Sequence, residues 1–367
     1  MSYVDALFDR DSDIIRVVER KDGKRHFHEY QAKYTFYYED PRGKYKSVYG
    51  DPLTRIVCKN TKDFRKEVAI NKGKNLFESD INPIFQCLSE NYLNQDAPKL
   101  NVCFFDIETD FDPERGFADP SDPFMPITAI TVHLQWLNAL VTLALPPKTL
   151  TMDQAKDEVK EWGDECILFD NEGDMLQTFL DLIEDADIIT GWNSEGYDIP
   201  YTVNRVSRVL SKDDTRRFCL WKQLPKKREY EKYGKSAVTF DLIGRVHLDS
   251  LELYRKYTYE ERHTYRLDAI GEIEVGENKV PSYGTLFSPT SISPMASSLY
   301  VCLSSYVYLR YNSKLSKCTL PIRSKVTADL PYFSYSRFLG NCPHKQNLRV
   351  SSLLSTRLVL LTVYGIS

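Results

Sequence analysis

Apolar and polar positions along the chain follow two rhythms. Near the N-terminus Tyr34-Thr-Phe-Tyr-Tyr38 is β-branched and aromatic, the composition of a strand. Asp22-Gly23 is a hairpin-turn pair, and Thr61–Ile70 predicts a short helix. The turn-prone run Asn94-Gln-Asp-Ala-Pro98 marks a boundary. Beyond it Val102-Cys-Phe-Phe-Asp-Ile107 is a short apolar run that predicts a buried central strand, and 127–134 and 139–145 predict two more. Met175, Phe179, Leu182 and Ile183 recur at i, i+4, i+7 and i+8, one face of a helix. A brief strand over 187–190 follows, then a second helix with Ile199, Val203, Val206 and Leu210 on one side and Pro200 in its first turn. Strands followed by strand–helix alternation predict an α/β protein with a mixed sheet flanked by helices, behind a small α/β N-terminal unit. Residues 225–240 read as a basic, aromatic hairpin turning at Gly234, with Lys226, Lys227, Arg228, Tyr230, Lys232 and Tyr233. A solvated charged loop would have the same composition.

Length and composition narrow this picture. A chain of 367 residues predicts two or three domains, and 42% hydrophobic residues suffice for a core. No apolar run reaches the length of a membrane span, so no membrane partner is expected. The N-terminus lacks a basic-then-apolar export signal. Eight cysteines without a C-x-x-C pair read as free thiols in a reducing cytoplasm. The net charge of −4 neither advertises nor excludes nucleic-acid binding, since a binding track is a local feature.

That average hides a change near residue 288. Residues 288–367 hold nine Lys or Arg and one acid, Asp329, a balance of +8 against −12 for everything before. They also hold 16 serines.

Two groups of residues carry candidate chemistry. In Phe104-Phe-Asp106-Ile-Glu108-Thr the acids stand at i and i+2, so on a strand both point to one face. Carboxylates that close repel, and a divalent cation removes the conflict; hard oxygen ligands suit Mg²⁺ or Mn²⁺. Taken alone, D-x-E at a strand end reads equally as two acids facing solvent. In Trp192-Asn-Ser-Glu-Gly-Tyr-Asp198-Ile-Pro the second group sits where a short strand hands over to a helix, at the strand's carboxyl end, where open α/β sheets place their sites. Asp198 could there be a helix N-cap and nothing more.

Together, with a spacing of 90 residues from Glu108 to Asp198, the two groups resemble the first two exonuclease motifs of family B DNA polymerases, those of large tailed phages above all. The resemblance runs from about residue 3 to 286. It includes Val48-Tyr-Gly-Asp-Pro-Leu-Thr-Arg55, Thr190-Gly-Trp-Asn-Ser-Glu-Gly-Tyr-Asp-Ile-Pro-Tyr201 and Tyr265-Arg-Leu-Asp-Ala-Ile-Gly-Glu272. It implies an N-terminal domain over 1–98 and a ribonuclease-H-like 3′–5′ exonuclease domain over 99–286, which uses two Mg²⁺ or Mn²⁺ ions to hydrolyse DNA 3′ ends. Asp106 maps to the carboxylate touching both ions, Glu108 to a ligand of the nucleophile-side ion, and Asp198 to the acid serving the second ion. Asn193 matches the motif's Asn near the substrate strand. Phe117 matches an aromatic that stacks on a base at the primer end, and Tyr233 the tip of a hairpin that parts template from primer. Without the family, Phe117 reads as a loop anchor and Tyr233 as a solvated turn. The implied partners are single-stranded 3′ ends and primer–template DNA, with a sliding clamp and other replisome proteins acting through a missing part. The implied location is the cytoplasm of an infected bacterium.

The resemblance ends after Tyr283-Gly-Thr-Leu286, where the composition changes. The family's third motif, Y-x-x-x-D, belongs near 300–312, yet no Asp or Glu lies between Glu277 and Asp329. The tail from 287 reads as an out-of-frame translation, non-native or disordered; a basic DNA-binding tail is the alternative. The expected function is therefore that of a replicative DNA polymerase fragment with weak or absent exonuclease activity and no nucleotide addition, lacking palm and fingers sequence. A non-catalytic DNA-binding or partner-binding half of a split polymerase, and a free-standing exonuclease, are the alternatives.

Overall fold

An antiparallel sheet with a two-residue turn in its second hairpin opens the chain. Strands β1 (Tyr3–Asp9), β2 (Ile14–Lys21) and β3 (Lys24–Gln31) pair antiparallel in that order. Lys21 faces Lys24, so only Asp22 and Gly23 turn the chain, at φ of 51° and 74°. Two successive positive φ values make a turn whose twist matches the strands, which is why Asp-Gly serves there. The computed structural model describes residues 3–160, 166–232, 235–258 and 260–275. These fall into two compact units, meeting in sequence between Lys99 and Leu100. The tail from 287, the third-motif region and Tyr233 lie outside the described residues.

The first unit continues with β4 (Tyr34–Glu39), β5 (Tyr45–Lys46), β6 (Pro52–Cys58), helix α1 (Thr61–Ile70), β7 (Leu76–Phe77) and helix α2 (Pro83–Tyr92). Its second sheet has the order β5-β6-β4-β7. The predicted helix over 61–70 starts where the Asn60 side chain accepts a hydrogen bond from the Asp63 N–H, satisfying a donor the first turn cannot. Asn82 does the same for α2, followed by Pro83 in its first turn.

The second unit is a mixed six-stranded sheet with flanking helices, as expected. In chain order it contains β8 (Val102–Thr109), β9 (Ile127–Leu134), β10 (Ala139–Ala144), α3 (Met152–Val159), β11 (Cys166–Leu168), α4 (Glu172–Leu182), β12 (Ile188–Gly191) and α5 (Asp198–Val209). A hairpin of β13 (Lys226–Lys232) and β14 (Lys235–Asp241) follows, then β15 (Val246–Asp249), α6 (Ser250–Tyr257) and α7 (Leu267–Val275). The sheet order is β11-β10-β9-β8-β12-β15. β8 runs antiparallel to β9 on one side and parallel to β12 on the other.

Alternation along β8 divides its side chains between two environments. Cys103, Phe105 and Ile107 enter the main core with Met175, Phe179 and Ile183 of the α4 stripe and Ile199, Val203 and Val206 of α5. Phe104, Asp106 and Glu108 take the opposite face. A buried ion pair holds α4 to α5: Arg205 Nη2 lies 2.6 Å from Glu172 Oε2 and Arg205 Nε 2.7 Å from Glu172 Oε1. The same carboxylate accepts the Ile127 N–H at 2.9 Å, which fixes the start of β9.

Candidate active site

The carboxyl ends of the parallel strands β8 and β12 bring the two sequence motifs together. β8 pairs with β12 through Val102–Ile188, Cys103–Ile189 and Phe104–Thr190. The chain leaving β12 therefore turns beside the half of β8 that carries Asp106 and Glu108. Gly191 makes this possible: a Cβ there would lie 2.5 Å from the Phe105 carbonyl oxygen. Asn193 then adopts φ of 60°, and the N–H groups of Gly196 and Tyr197 close a turn on its carbonyl at 2.9 and 3.0 Å.

Helix α5 begins with Asp198, whose carboxylate meets its own backbone N–H in the first turn and is not the helix's N-cap, a position Tyr197 holds. The start of α5 has no side-chain cap bond. Asp198 also reaches across to β8, where its Oδ1 accepts the Ile107 N–H at 3.2 Å. The residue so gripped lies between Asp106 and Glu108, both half-buried on the same face. Asp198 itself is 4% exposed. Burial pushes its carboxyl up to about 7, Asp249 and Glu108 add to the rise, and the Ile107 N–H opposes it. Tyr197, its neighbour, bonds Thr109 Oγ1 through its hydroxyl at 3.0 Å. The phenol is raised by burial first, then by Asp198, Glu108 and Asp106, so all three acids act on one ring.

A second buried acid, close enough to Asp198 to add to its rise, builds the turn. Asp249, at the end of β15, accepts N–H groups from both sides: Asn193 at 3.1 Å and Leu251 at 2.8 Å on Oδ1, and Glu195 at 3.0 Å on Oδ2. It is at once the N-cap of α6 and the clamp on the Asn193–Glu195 turn. Burial raises its carboxyl to about 6, while the Glu195 and Leu251 N–H groups pull the other way. His247 Nε2 and Ser194 Oγ, 2.9 Å apart, pin the middle of the turn, and Arg228 of β13 pairs with Glu195.

The predicted residues thus fall into four groups. Asp106, Glu108 and Asp198 converge on one strand end. Asn193 is held in the adjoining turn, its side chain folded over Gly196, where a Cβ would come within 2.8 Å of the Asn oxygen. Phe117 lies on the loop after β8, 69% exposed, with its ring edge-on to Phe111 at 4.8 Å. Tyr233 belongs to the two residues between β13 and β14 that lie outside the described residues. Asp249 and His247 were not singled out from sequence; Arg228 was read only as part of the basic hairpin, and Tyr197 only as part of the motif around Asp198. For Asp249 a signal existed, since Asp249-Ser-Leu-Glu252 has the spacing of a capping box at a helix start.

The donors suit a hard cation in kind: all are carboxylates, and Glu108 raises the proton affinity of Asp198 when nothing neutralises them. Among the described residues no group of three or more His, Cys, Asp or Glu side chains stands assembled as a metal cage.

The family model for the exonuclease domain of DNA polymerase family B matches residues 57–270. The chain belongs to that family. The DNA-directed DNA polymerase of Escherichia phage RB69 is 28% identical over 270 residues, covering 68% of this chain and 30% of its own length. That of Enterobacteria phage T4 is 33% identical over 120 residues, 32% of this chain and 13% of the relative. A DNA polymerase of Bombyx mori nuclear polyhedrosis virus is 25% identical over 130 residues, 34% of this chain and 13% of the relative. The family B chain described here therefore spans less than a third of the length of these relatives. Among its described residues no helix is long and apolar enough to cross a membrane.

Proposed function

We propose that residues 100–275 form the substrate-binding part of a proofreading 3′–5′ exonuclease, acting on DNA 3′ ends within a replicative polymerase. The observation that carries this reading is the bond from the Ile107 N–H to Asp198, which puts a buried acid between the two acids of β8. Asp106, Glu108 and Asp198 would hold two divalent ions, Asp106 shared between them. When bound, such ions make hydroxide available near neutral pH and stabilise the departing 3′ oxygen. The protein's own part is positional. The rigid strand fixes Asp106 and Glu108, the Asp249 clamp fixes Asn193 toward the DNA strand, and Tyr197 holds Thr109 at the strand end. Phe117 offers an exposed face to a terminal base, a contact of about 1–3 kcal/mol that tolerates any sequence. Tyr233, beyond the described hairpin strands, would part template from primer. The first unit is proposed as the polymerase's N-terminal domain, and clamp and replisome contacts belong to the rest of such a polymerase, in the cytoplasm of an infected bacterium.

A second reading has its own support. The third-motif acid is missing from 300–312. This favours a chain that binds DNA and cleaves it slowly or not at all. The test is single-stranded DNA labelled at its 5′ end, incubated with the full chain and Mg²⁺ or Mn²⁺. Binding by fluorescence anisotropy is expected, together with slow or undetectable shortening. Brisk shortening that Asp106→Ala abolishes would show the acid set to be complete. No binding with either ion would end the exonuclease reading.

A further inference from the structure

Arg228 does something the chemistry above does not call on. Alternation along β13 turns Lys227 and Glu229 outward, where they pair with each other at 3.0 Å with side chains 56% and 67% exposed. Arg228 faces the other way and is half-buried. Its Nη2 pairs with Glu195 Oε1, and its Nε lies 3.4 Å from Asp241 Oδ1 at the end of β14. One guanidinium thus serves two acids from different elements. Asp241 has a side chain only 8% exposed, so it needs a counter-charge near it. Glu195 lies in the turn after β12, and its other end, the backbone N–H, is already bonded to Asp249. The planar fork of arginine can meet both carboxylates in fixed directions, which a lysine point charge cannot.

We propose that Arg228 is a positioning residue that latches the β13–β14 hairpin to the Asn193–Glu195 turn, so that the two shift together. DNA pressed on the hairpin would then move the turn that carries Asn193 and leads into Asp198. The DNA side of this statement rests on the exonuclease reading; the latch itself does not.

Amide hydrogen exchange on the full chain, followed by mass spectrometry, tests the two separately. Arg228→Ala is expected to speed exchange in residues 193–197, and Glu195→Ala to speed it in 226–231 and 235–241, each by about threefold to tenfold. Lys227→Ala, on the outward face, is expected to do neither. The Glu195→Ala arm is decisive, because it leaves the hairpin's own bonds and the Arg228–Asp241 contact intact. Should Arg228→Ala fail to fold, Glu195→Ala still separates the two outcomes. Effects confined to each variant's own element would overturn the latch. With an oligothymidine strand added, the wild-type chain is expected to slow exchange in hairpin and turn together, and Glu195→Ala to slow it in the hairpin alone. A wild-type chain unprotected by the strand would count against the nucleic-acid reading, while the cross-element effects would still decide the latch.

Discussion

At Asp198 the protein keeps an ionisable carboxyl where solvent scarcely reaches, with Asp249 and Glu108 close enough to resist its ionisation. Its proton is held more tightly in the folded chain than in the unfolded one. The stability this gives is fully present below the unfolded value near 3.8 and is lost as pH rises toward about 7. Asp198→Asn keeps an oxygen for the Ile107 N–H and removes the charge. Without divalent ions it should therefore be more stable than wild type, by a margin that widens from pH 5 to about 7 and then levels at about 1–3 kcal/mol. Urea melts across that range measure it. Adding Mn²⁺ at pH 8 should stabilise the wild type and leave the variant unchanged; a variant that gains equally would rule out Asp198 as a ligand. Gly191 presents the opposite constraint, space rather than charge. Gly191→Ala would drive a methyl to within 2.5 Å of the Phe105 carbonyl and should cost about 2–3 kcal/mol in the same melts.

Among the elements, α4 and α5 were foreseen from apolar stripes alone, because helical periodicity is a local property. What joins them was not. Arg205 and Glu172 stand 33 residues apart and meet in a two-point pair with side chains 11% and 10% exposed. Arg205→Ala would leave Glu172 buried and unpaired, with the Ile127 N–H as its remaining described partner, and should cost about 3–5 kcal/mol. A fall of the melting temperature by only a degree or two would mean that water or a neighbour relieves the charge. The pairing of Asp106 with Glu108 was equally legible, since a strand places i and i+2 on one face whatever surrounds it. Asp249 shows the limit. Its spacing to Glu252 marks a helix start, yet nothing local says that its second oxygen holds a turn 54 residues earlier.

At the scale of the molecule, the family relation reaches residue 270, and the sequence resemblance ends after Leu286, beyond the described residues. The change of composition at that point is a property of the coding sequence as much as of the protein. Sequencing the gene across codon 287 is expected to show that a shifted frame restores Y-x-x-x-D; if neither shifted frame does, the basic serine-rich tail is genuine. If a shifted frame does restore the motif, a repaired gene product should degrade single-stranded DNA at least tenfold faster than this chain, on the order of the effect of restoring one catalytic group.

By itself the sequence determined the strand and helix rhythms, the turn at Asp22-Gly23, the two acids of β8 and the family. Each of these depends on neighbours a few residues apart or on a pattern read along the chain. The tertiary structure alone decided that Asp198 reaches β8, that Asp249 clamps the turn, and that Arg228 reaches Glu195. The first two contacts need parallel pairing of β8, β12 and β15, and the third needs the β13–β14 hairpin beside the turn after β12; all depend on three-dimensional distance, on which separation along the chain is silent.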